Sequence, residues 1–295
     1  MNYLFVGGSI KDKAGLAMIQ GAVNGIIRLD PEARFNAFLP AEHNAENHLF
    51  KTFIDPADCT EALEFANVLL DVGGIFRNQP YRCQYVKVAK TIGIPYVFMS
   101  QSFMESVDGE ILNKATVIAR GRRAAENAEK AMGAGAWVEV AADLSFLVQA
   151  EKWEGTKYFR AYTTHFNKPV SSMLESCISQ TCVQTIWKEG YLPDGIEKYG
   201  GKPWEQKLPV RHVTGSVEKL FGLIASVREV HTARYQAACA AIKAGIKPQL
   251  FISYRPKYDD LMDFYGLTPR LLEKSAMISC RAAVEAARKR KRHGA

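Results

Sequence analysis

The fold class follows from the stretch Val68-Leu69-Leu70-Asp71-Val72-Gly73-Gly74, in which an apolar run stops at two glycines. Such a run predicts a buried strand, and the glycines predict a tight turn directly after it. Similar runs occur on either side, at Tyr3–Val6 and at Pro95–Met99. Apolar residues at helical spacing separate the runs, at Gly15–Leu29 and Tyr81–Ile92. Apolar strands separated by helices predict a parallel sheet with helices on both faces.

The same alternation resumes after Pro209 and predicts a second, smaller α/β unit. The intervening stretch, Glu151–Pro209, is less regular, and we expect a helix there at Ser171–Trp187. Ser216 is a possible cap for the helix that follows it. We therefore predict an α/β protein with two Rossmann-like domains facing across a cleft. The predicted boundaries are residues 1–150 and 151–280, with a basic helical tail at 281–295.

Composition excludes several classes of protein. With 47% hydrophobic and 23% charged residues, the chain of 295 residues is neither disordered nor collagenous. No apolar run is long enough to predict a transmembrane helix, and the first residues do not resemble a secretory signal. The six cysteines form no C-x-x-C pair, and no histidines cluster at zinc-finger spacing. We expect a cytoplasmic protein with reduced thiols, no metal and no cofactor.

The positive charge of the chain is concentrated at its C-terminal end. The net charge is +7, and Arg288-Lys289-Arg290-Lys291-Arg292 contributes five positive charges. Such a tail can bind a polyanion or an anionic membrane surface. The alternative is a solvated end of a terminal helix.

Candidate ligand-binding residues follow the strands, because ligands of such folds bind outside the carboxyl ends of the sheet. Gly73 and Gly74 allow close approach of a ligand or simply make a necessary turn, and without a G-x-G-x-x-G pattern a dinucleotide site is poorly supported. Gln101 and Ser102 end the next strand and either orient a ligand or close a turn. Arg120, directly after a further strand, is well placed to bind a phosphate or carboxylate.

The second predicted unit has its own candidate site. Arg234 lies where a strand gives way to a helix, so its charge and the helix amides would form an anion site together. His231 is either a proton donor or a satisfied, half-buried histidine. Lys257 follows the next strand. Positive charge at three strand ends predicts a small ligand with two negative charges.

Several of these segments, taken in order, resemble the polysaccharide pyruvyl transferase family. The resemblance extends from about Gly7 to Leu267 and is weakest in Glu151–Pro209. The segments that carry it are Asp71-Val72-Gly73-Gly74-Ile75-Phe76, Met99-Ser100-Gln101-Ser102-Phe103, Ile118-Ala119-Arg120, Val140-Ala141-Ala142-Asp143-Leu144-Ser145-Phe146, Thr232-Ala233-Arg234-Tyr235-Gln236-Ala237 and Tyr254-Arg255-Pro256-Lys257.

This resemblance implies a glycosyltransferase-B-like arrangement and transfer of pyruvate from phosphoenolpyruvate to two hydroxyls of a sugar or glycan acceptor. It implies that Arg120, Arg234 and Lys257 bind the donor's anionic groups. The chain departs from the family pattern at Gln236, where the family usually has a histidine. It departs again at Ala124 and Met104, where a serine and a glycine are usual.

Glutamine cannot titrate, so Gln236 can orient the donor but cannot be the acid. If the family chemistry survives, the acid is another residue, with His231 and His165 as candidates. Two other functions stay open from sequence. One is a glycosyltransferase-like enzyme that uses a nucleotide-activated sugar. The other is a binding protein that kept the fold, lost the acid and holds a polyanion with its basic tail.

Overall fold

A computed structural model describes residues 1–7, 13–38, 53–54, 66–72, 74–163, 182–185, 211–213, 215–250 and 255–293. The chain divides into two compact units. The first contains Met1–Ile10, Gly15–Leu147 and Arg270–Ala295, and the second contains Lys11–Ala14 and Val148–Pro269. Each unit is a parallel α/β layer, so the predicted pair of Rossmann-like units is confirmed.

The sheet of the first unit is parallel at every described pairing. Its strand order is β3-β2-β1-β4-β6-β7-β8, and β5 pairs with β6. The strand order therefore reverses between β1 and β4, which is where doubly wound sheets bind ligands. The strands are β1 Asn2–Gly7, β2 Arg34–Phe38, β3 Phe53–Ile54, β4 Val68–Asp71, β5 Ile75–Phe76, β6 Tyr96–Phe103, β7 Thr116–Ala119 and β8 Glu139–Val140.

Helices and a short 3₁₀ segment complete the first unit. Every residue of β4 and β6 is buried, which explains why both strands begin with apolar runs, and their polar residues lie in the carboxyl-terminal part of each strand. The helices are α1 Lys13–Ile27, α2 Pro80–Thr91, α3 Gly109–Leu112, α4 Arg122–Met132 and the C-terminal α8 Pro269–His293, and the 3₁₀ segment is Leu144–Leu147.

The second unit repeats the plan on a smaller scale. Its described strands pair in the order β11-β10-β9-β12-β13, again all parallel, and the order reverses between β9 and β12. Ser216 caps α5 as predicted, because its Oγ accepts a hydrogen bond from the backbone N–H of Lys219. The elements are β9 Arg160–Thr163, β10 Cys182–Thr185, β11 Arg211–Val213, α5 Val217–Ser226, β12 Glu229–Thr232, α6 Tyr235–Lys243, β13 Gln249–Leu250 and α7 Arg255–Met262.

The chain differs from its sequence-based description in two places. Cys182–Thr185 is a strand between β9 and β11, so the helix predicted at Ser171–Trp187 is wrong over these residues. Helix α8 from Arg270 belongs to the first unit, whereas the predicted boundary assigned residues up to 280 to the second. Its buried face explains this placement, since the Cys280 thiol lies against the carbonyl of Ala22 in α1.

No helix among the described residues is suited to cross a membrane. None of these helices is both long enough and apolar enough to span a bilayer.

Candidate functional site

The carboxyl end of β4 carries a buried carboxylate that organises the first unit. Asp71 is fully buried and forms two hydrogen bonds with the guanidinium of Arg82, from Nε to Oδ2 and from Nη2 to Oδ1, each at 2.7 Å. The Tyr96 hydroxyl donates to the same carboxylate at 2.8 Å. Burial lowers the pKa of Arg82, but Asp71 more than offsets this, and the net pKa is raised. The Arg82 guanidinium is therefore held in its charged form, and its two hydrogen bonds to Asp71 fix it in place.

Gln101 belongs to this buried network. Its Nε2 donates to the backbone carbonyl of Asp71 at 2.7 Å, and its Oε1 accepts from Arg82 Nη2 at 3.1 Å. The predicted role of Gln101 was to orient a ligand at the strand end. In the structure its amide orients Asp71 and Arg82, and its side chain is fully buried.

Arg120 and Ser102, both predicted ligand contacts, lie together at the ends of β7 and β6. Arg120 is 2% exposed and donates to Asp143 Oδ2 at 2.9 Å from Nη1. Its Nε and Nη2 donate to Ser102 Oγ at 3.1 and 2.7 Å. The other oxygen of Asp143 accepts the backbone N–H of Ser145. The structure therefore pairs Arg120 with Ser102 and Asp143, and the contact of Arg120 and Ser102 with a ligand stays a prediction.

Gly74 makes the turn that its sequence position predicted. Its φ angle of +60° lies in the left-handed region that favours glycine. Its carbonyl accepts the backbone N–H of Ser102 at 2.9 Å, which connects the turn to β6. A Cβ at Gly74 would have nothing within 4 Å, so space adjoins the turn. Gly73 lies outside the described residues.

Arg82 was not predicted from sequence, and Ser100 was identified only as part of the segment Met99-Ser100-Gln101-Ser102-Phe103. Arg82 lies on α2, where an arginine is usually solvated, and only the partner at Asp71 reveals its role. Ser100 has a φ of +49° inside β6, where the pairing with β7 changes register between Phe98 and Gln101. Its Oγ lies 2.9 Å from the carbonyl oxygen of Ala142 and 2.8 Å from Ser279 Oγ on α8. A serine with positive φ is uncommon and marks local strain at the strand end.

The second unit has its strand reversal at β9 and β12, and the chain turns there into α6. The backbone N–H of Ala233 donates to the carbonyl of Thr163 at the end of β9. Thr232 Oγ1 accepts the backbone N–H of Arg234 at 2.8 Å. Arg234 is the N-cap residue of α6, with an extended backbone. These bonds fix the turn, so the first amides of α6 have a defined position at the reversal point.

Arg234 is 8% exposed and therefore holds its guanidinium in a mostly desolvated position. A helix N-terminus carries partial positive charge, so an anion bound there is stabilised by both the helix and the arginine. Gln236 is buried in the first turn of the same helix. Tyr258 of α7 supports the turn, because its hydroxyl donates to the carbonyl of Ala233 at 2.7 Å. The predicted anion site therefore has the required backbone arrangement.

His231 lies on β12, three residues before Arg234. Its Nε2 is 3.5 Å from Glu229 Oε2, and the same carboxylate oxygen accepts a hydrogen bond from Arg160 Nε at 2.7 Å. Burial and the charge of Arg160 lower the pKa of His231, and Glu229 offsets only part of this. The imidazole is therefore neutral at neutral pH. A neutral imidazole suits a proton acceptor better than the proton donor predicted from sequence.

The positions of two further predicted site residues, His165 and Lys257, are not fully described by the structure. His165 lies outside the described residues. Lys257 is the third residue of α7, and its side chain is outside the described part of the chain.

A surface cleft of about 680 Å³ lies elsewhere in the second unit. Phe159 and Arg228, which line it, directly precede β9 and β12. The cleft is therefore at the amino-terminal edge of the second sheet, away from Arg234. Trp153 covers another part of its wall, with its indole N–H bound to the carbonyl of Thr156.

Comparison with known proteins gives a structural likeness without a sequence match. No protein-family model matches the chain, and no curated protein matches it. Among solved structures, UDP-GlcNAc 2-epimerase from Neisseria meningitidis bound to UDP-GlcNAc has a TM-score of 0.63 and 11% identity, covering 97% of this chain and 100% of that one. The enzyme of the same name from Methanocaldococcus jannaschii, in complex with UDP-GlcNAc and UDP, has a TM-score of 0.59 and 10% identity, covering 96% and 92%.

A third structure, UDP-N-acetylglucosamine 2-epimerase from Rickettsia bellii, has a TM-score of 0.53 and 9% identity and covers 99% of this chain and 95% of that one. None of these three structures is a pyruvyl transferase. The structural similarity shows a shared fold, but identities this low say nothing about a shared function, so the function has to be argued from the site. The chain has the glycosyltransferase-B-like α/β fold that sequence analysis predicted.

Proposed function

We propose that this protein is an enzyme that binds a nucleotide-activated sugar through its diphosphate at the β12–α6 turn. Two observations support the proposal. The fold is similar over nearly its whole length to enzymes solved with UDP-GlcNAc or UDP. The second unit presents a buried arginine at the N-terminus of a nine-residue helix, beside the strand reversal. We therefore favour the glycosyltransferase-like alternative over pyruvyl transfer.

The position of Arg234 carries the argument. A diphosphate bound here would meet both the guanidinium and the positive end of the helix, and each of them favours an anion. The Thr232 hydroxyl fixes the backbone of Arg234 at 2.8 Å, so the site is organised before ligand arrives. A diphosphate offers two adjacent anionic groups, one for the guanidinium and one for the amides of α6. Both would strengthen their interaction as the diphosphate leaves and gains charge.

The reaction class follows from this arrangement. In sugar transfer, the bond between the anomeric carbon and the diphosphate breaks, and an acceptor hydroxyl loses its proton as the new bond forms. Arg234 and the helix amides would stabilise the departing diphosphate. His231 is neutral and lies beside the Glu229 carboxylate, which favours the protonated imidazole, so it is suited to accept a proton. The proposal assigns His231 the role of a base.

Pyruvyl transfer is a second candidate, because the same site suits the phosphate of phosphoenolpyruvate. Gln236, where the resembling family has histidine, lies in the first turn of α6 beside Arg234. In this candidate Gln236 orients the donor and a separate group supplies the proton. The family resemblance and this anion site are its support.

Titration calorimetry with UDP, UDP-GlcNAc and phosphoenolpyruvate distinguishes the two candidates. We expect UDP and UDP-GlcNAc to bind and phosphoenolpyruvate to bind at least about tenfold more weakly, because it lacks the nucleoside and the second phosphate. Tighter binding of phosphoenolpyruvate would replace our proposal with pyruvyl transfer. No binding of any of the three would overturn both.

A further inference from the structure

We propose that the C-terminal end of α8 and the two loops it touches form a docking surface for an anionic membrane. The surface consists of the exposed cations Lys289, Lys291 and Arg292 with the exposed isoleucines Ile27 and Ile92, and we call it the basic end. The inference concerns where the protein works and is independent of the proposed reaction.

The basic end is anchored to the first unit. Helix α8 continues to His293, so the whole run of cations from Arg288 to Arg292 is helical. Arg288 Nη2 donates to the carbonyl of Leu29 at 3.2 Å, and Arg290 Nη1 donates to the carbonyl of Gly93 at 2.8 Å. Arg288 and Arg290 thus hold the helix on the first unit, and they fix the direction in which its last turn is presented.

The anchoring loops contribute apolar side chains to the same surface. Ile27 is 44% exposed and lies two residues before Leu29, and Ile92 is 39% exposed and lies next to Gly93. These two side chains give the surface around the cations an apolar component. The combination of basic and apolar side chains is typical of segments that lie on a bilayer, where the cations meet headgroups and the apolar groups enter the interface.

The net charge of the residues near the basic end is also positive. Lys90 is exposed in the last turn of α2, and Arg28 is exposed directly after α1, where it is paired with Glu273 at 3.4 Å. The carboxylate of Asp30 is paired with the N-terminal amine of Met1 at 3.2 Å, which neutralises it. Glu32 and, on α8 itself, Glu285 are exposed acidic residues, but the five cations of the basic run and Lys90 outnumber them, so the balance is positive. The two isoleucines favour a lipid surface over a nucleic acid, which is usually bound by cations together with aromatic side chains that stack on bases.

Vesicle sedimentation tests this surface. We expect the protein to bind vesicles of phosphatidylcholine with about 30% phosphatidylserine and to bind pure phosphatidylcholine far more weakly, because each basic residue adds about fivefold to partitioning on an anionic bilayer. The triple variant Lys289→Glu, Lys291→Glu, Arg292→Glu would lose at least about 100-fold in partitioning by the same reasoning. Arg288 and Arg290 stay in place in this variant, so the helix keeps its anchors.

Two further variants distinguish binding through this surface from a nonspecific effect of the protein's net charge. The matched control Lys152→Glu, Lys157→Glu, Arg228→Glu changes three exposed cations of the second unit by the same charge and is expected to keep its binding. Ile27→Ser with Ile92→Ser is expected to bind at low salt but to lose the binding that wild type keeps at about 0.5 M salt, where surface charge is screened.

Three outcomes would overturn the inference. The first is that wild type does not bind anionic vesicles. The second is an equal loss in both triple variants. The third is a polyuridylate RNA that binds more tightly than vesicles and displaces them, which would assign the basic end to nucleic acid. Thermal unfolding of each variant checks that the fold is intact.

Discussion

Arg82 and Asp71 form a two-pronged ion pair inside the first unit, 11 residues apart in sequence and with both hydrogen bonds at 2.7 Å. The pair lies at the end of β4, beside the reversal of strand order. Tyr96 and Gln101 occupy further positions on the same carboxylate. A buried charge held from several sides fixes the carboxyl end of the sheet.

Replacing Arg82 with methionine is expected to lower the free energy of unfolding by about 3–5 kcal/mol, because it leaves the Asp71 carboxylate buried without its counter-charge. Urea denaturation of both proteins measures this loss. Arg77→Met, at an exposed arginine in the preceding turn, is the control and is expected to change stability by less than about 0.5 kcal/mol. A loss below about 1 kcal/mol for Arg82→Met would show that the pair contributes little.

Arg120 tests whether a predicted ligand contact is instead structural. Since its three donors bind Asp143 and Ser102, Arg120→Met is expected to destabilise the protein by about 3–5 kcal/mol. Ser102→Ala removes only the hydroxyl acceptor and is expected to cost about 1 kcal/mol. Chemical denaturation with UDP titration on each variant separates the roles. If Arg120→Met kept its stability but lost UDP binding, Arg120 would be a ligand contact, as the sequence predicted.

The sheet positions of these groups could be predicted, but their partners could not. Apolar runs located β4, β6 and β7, and the carboxyl-end rule then brought Gln101, Ser102 and Arg120 to one edge. Sequence spacing does not tell whether such a side chain turns toward ligand or toward a neighbour. Asp143 became the partner of Arg120 only through the fold, across 23 residues.

Strand β10 could not be predicted from sequence for a different reason. Cys182–Thr185 follows a stretch whose apolar residues recur at helical spacing, and a four-residue strand carries too little pattern of its own. Pairing with β9 and β11 on either side decides its conformation. Arg82 was missed for a related reason, because an arginine on a helix is usually solvated and only its distant partner makes it a core residue.

His231 is expected to make stability depend on pH below about 6.5. Its pKa is lowered from 6.5 in the folded protein, so the unfolded chain binds the proton more readily. The stabilising effect of the neutral imidazole is therefore complete above 6.5, declines as pH falls below it, and stops changing below the folded pKa. His231→Gln lacks this decline, and the difference between the two urea-denaturation curves across pH isolates it.

Glu229→Gln sharpens the same test. Because the Glu229 carboxylate raises the His231 pKa against the effects of burial and Arg160, its removal is expected to lower that pKa further. The decline in stability assigned to His231 would then extend to lower pH. A wild type that gains stability relative to His231→Gln as the solution is acidified would mean that the folded imidazole prefers the proton, contrary to this account.

Arg234 gives the most direct test of the anion site. Arg234→Ala is expected to weaken UDP binding by about 1.5–3 kcal/mol, the range for hydrogen bonds to charged groups, with little change in Tm. Arg234→Lys keeps the charge but loses the planar fork, so it is expected to recover only part of the affinity. Calorimetry measures the binding, and Arg228→Ala, an exposed cation of the same unit, is the control and is expected to bind as wild type does. Binding that survives Arg234→Ala while Tm falls steeply would make Arg234 a structural residue of the β12–α6 turn.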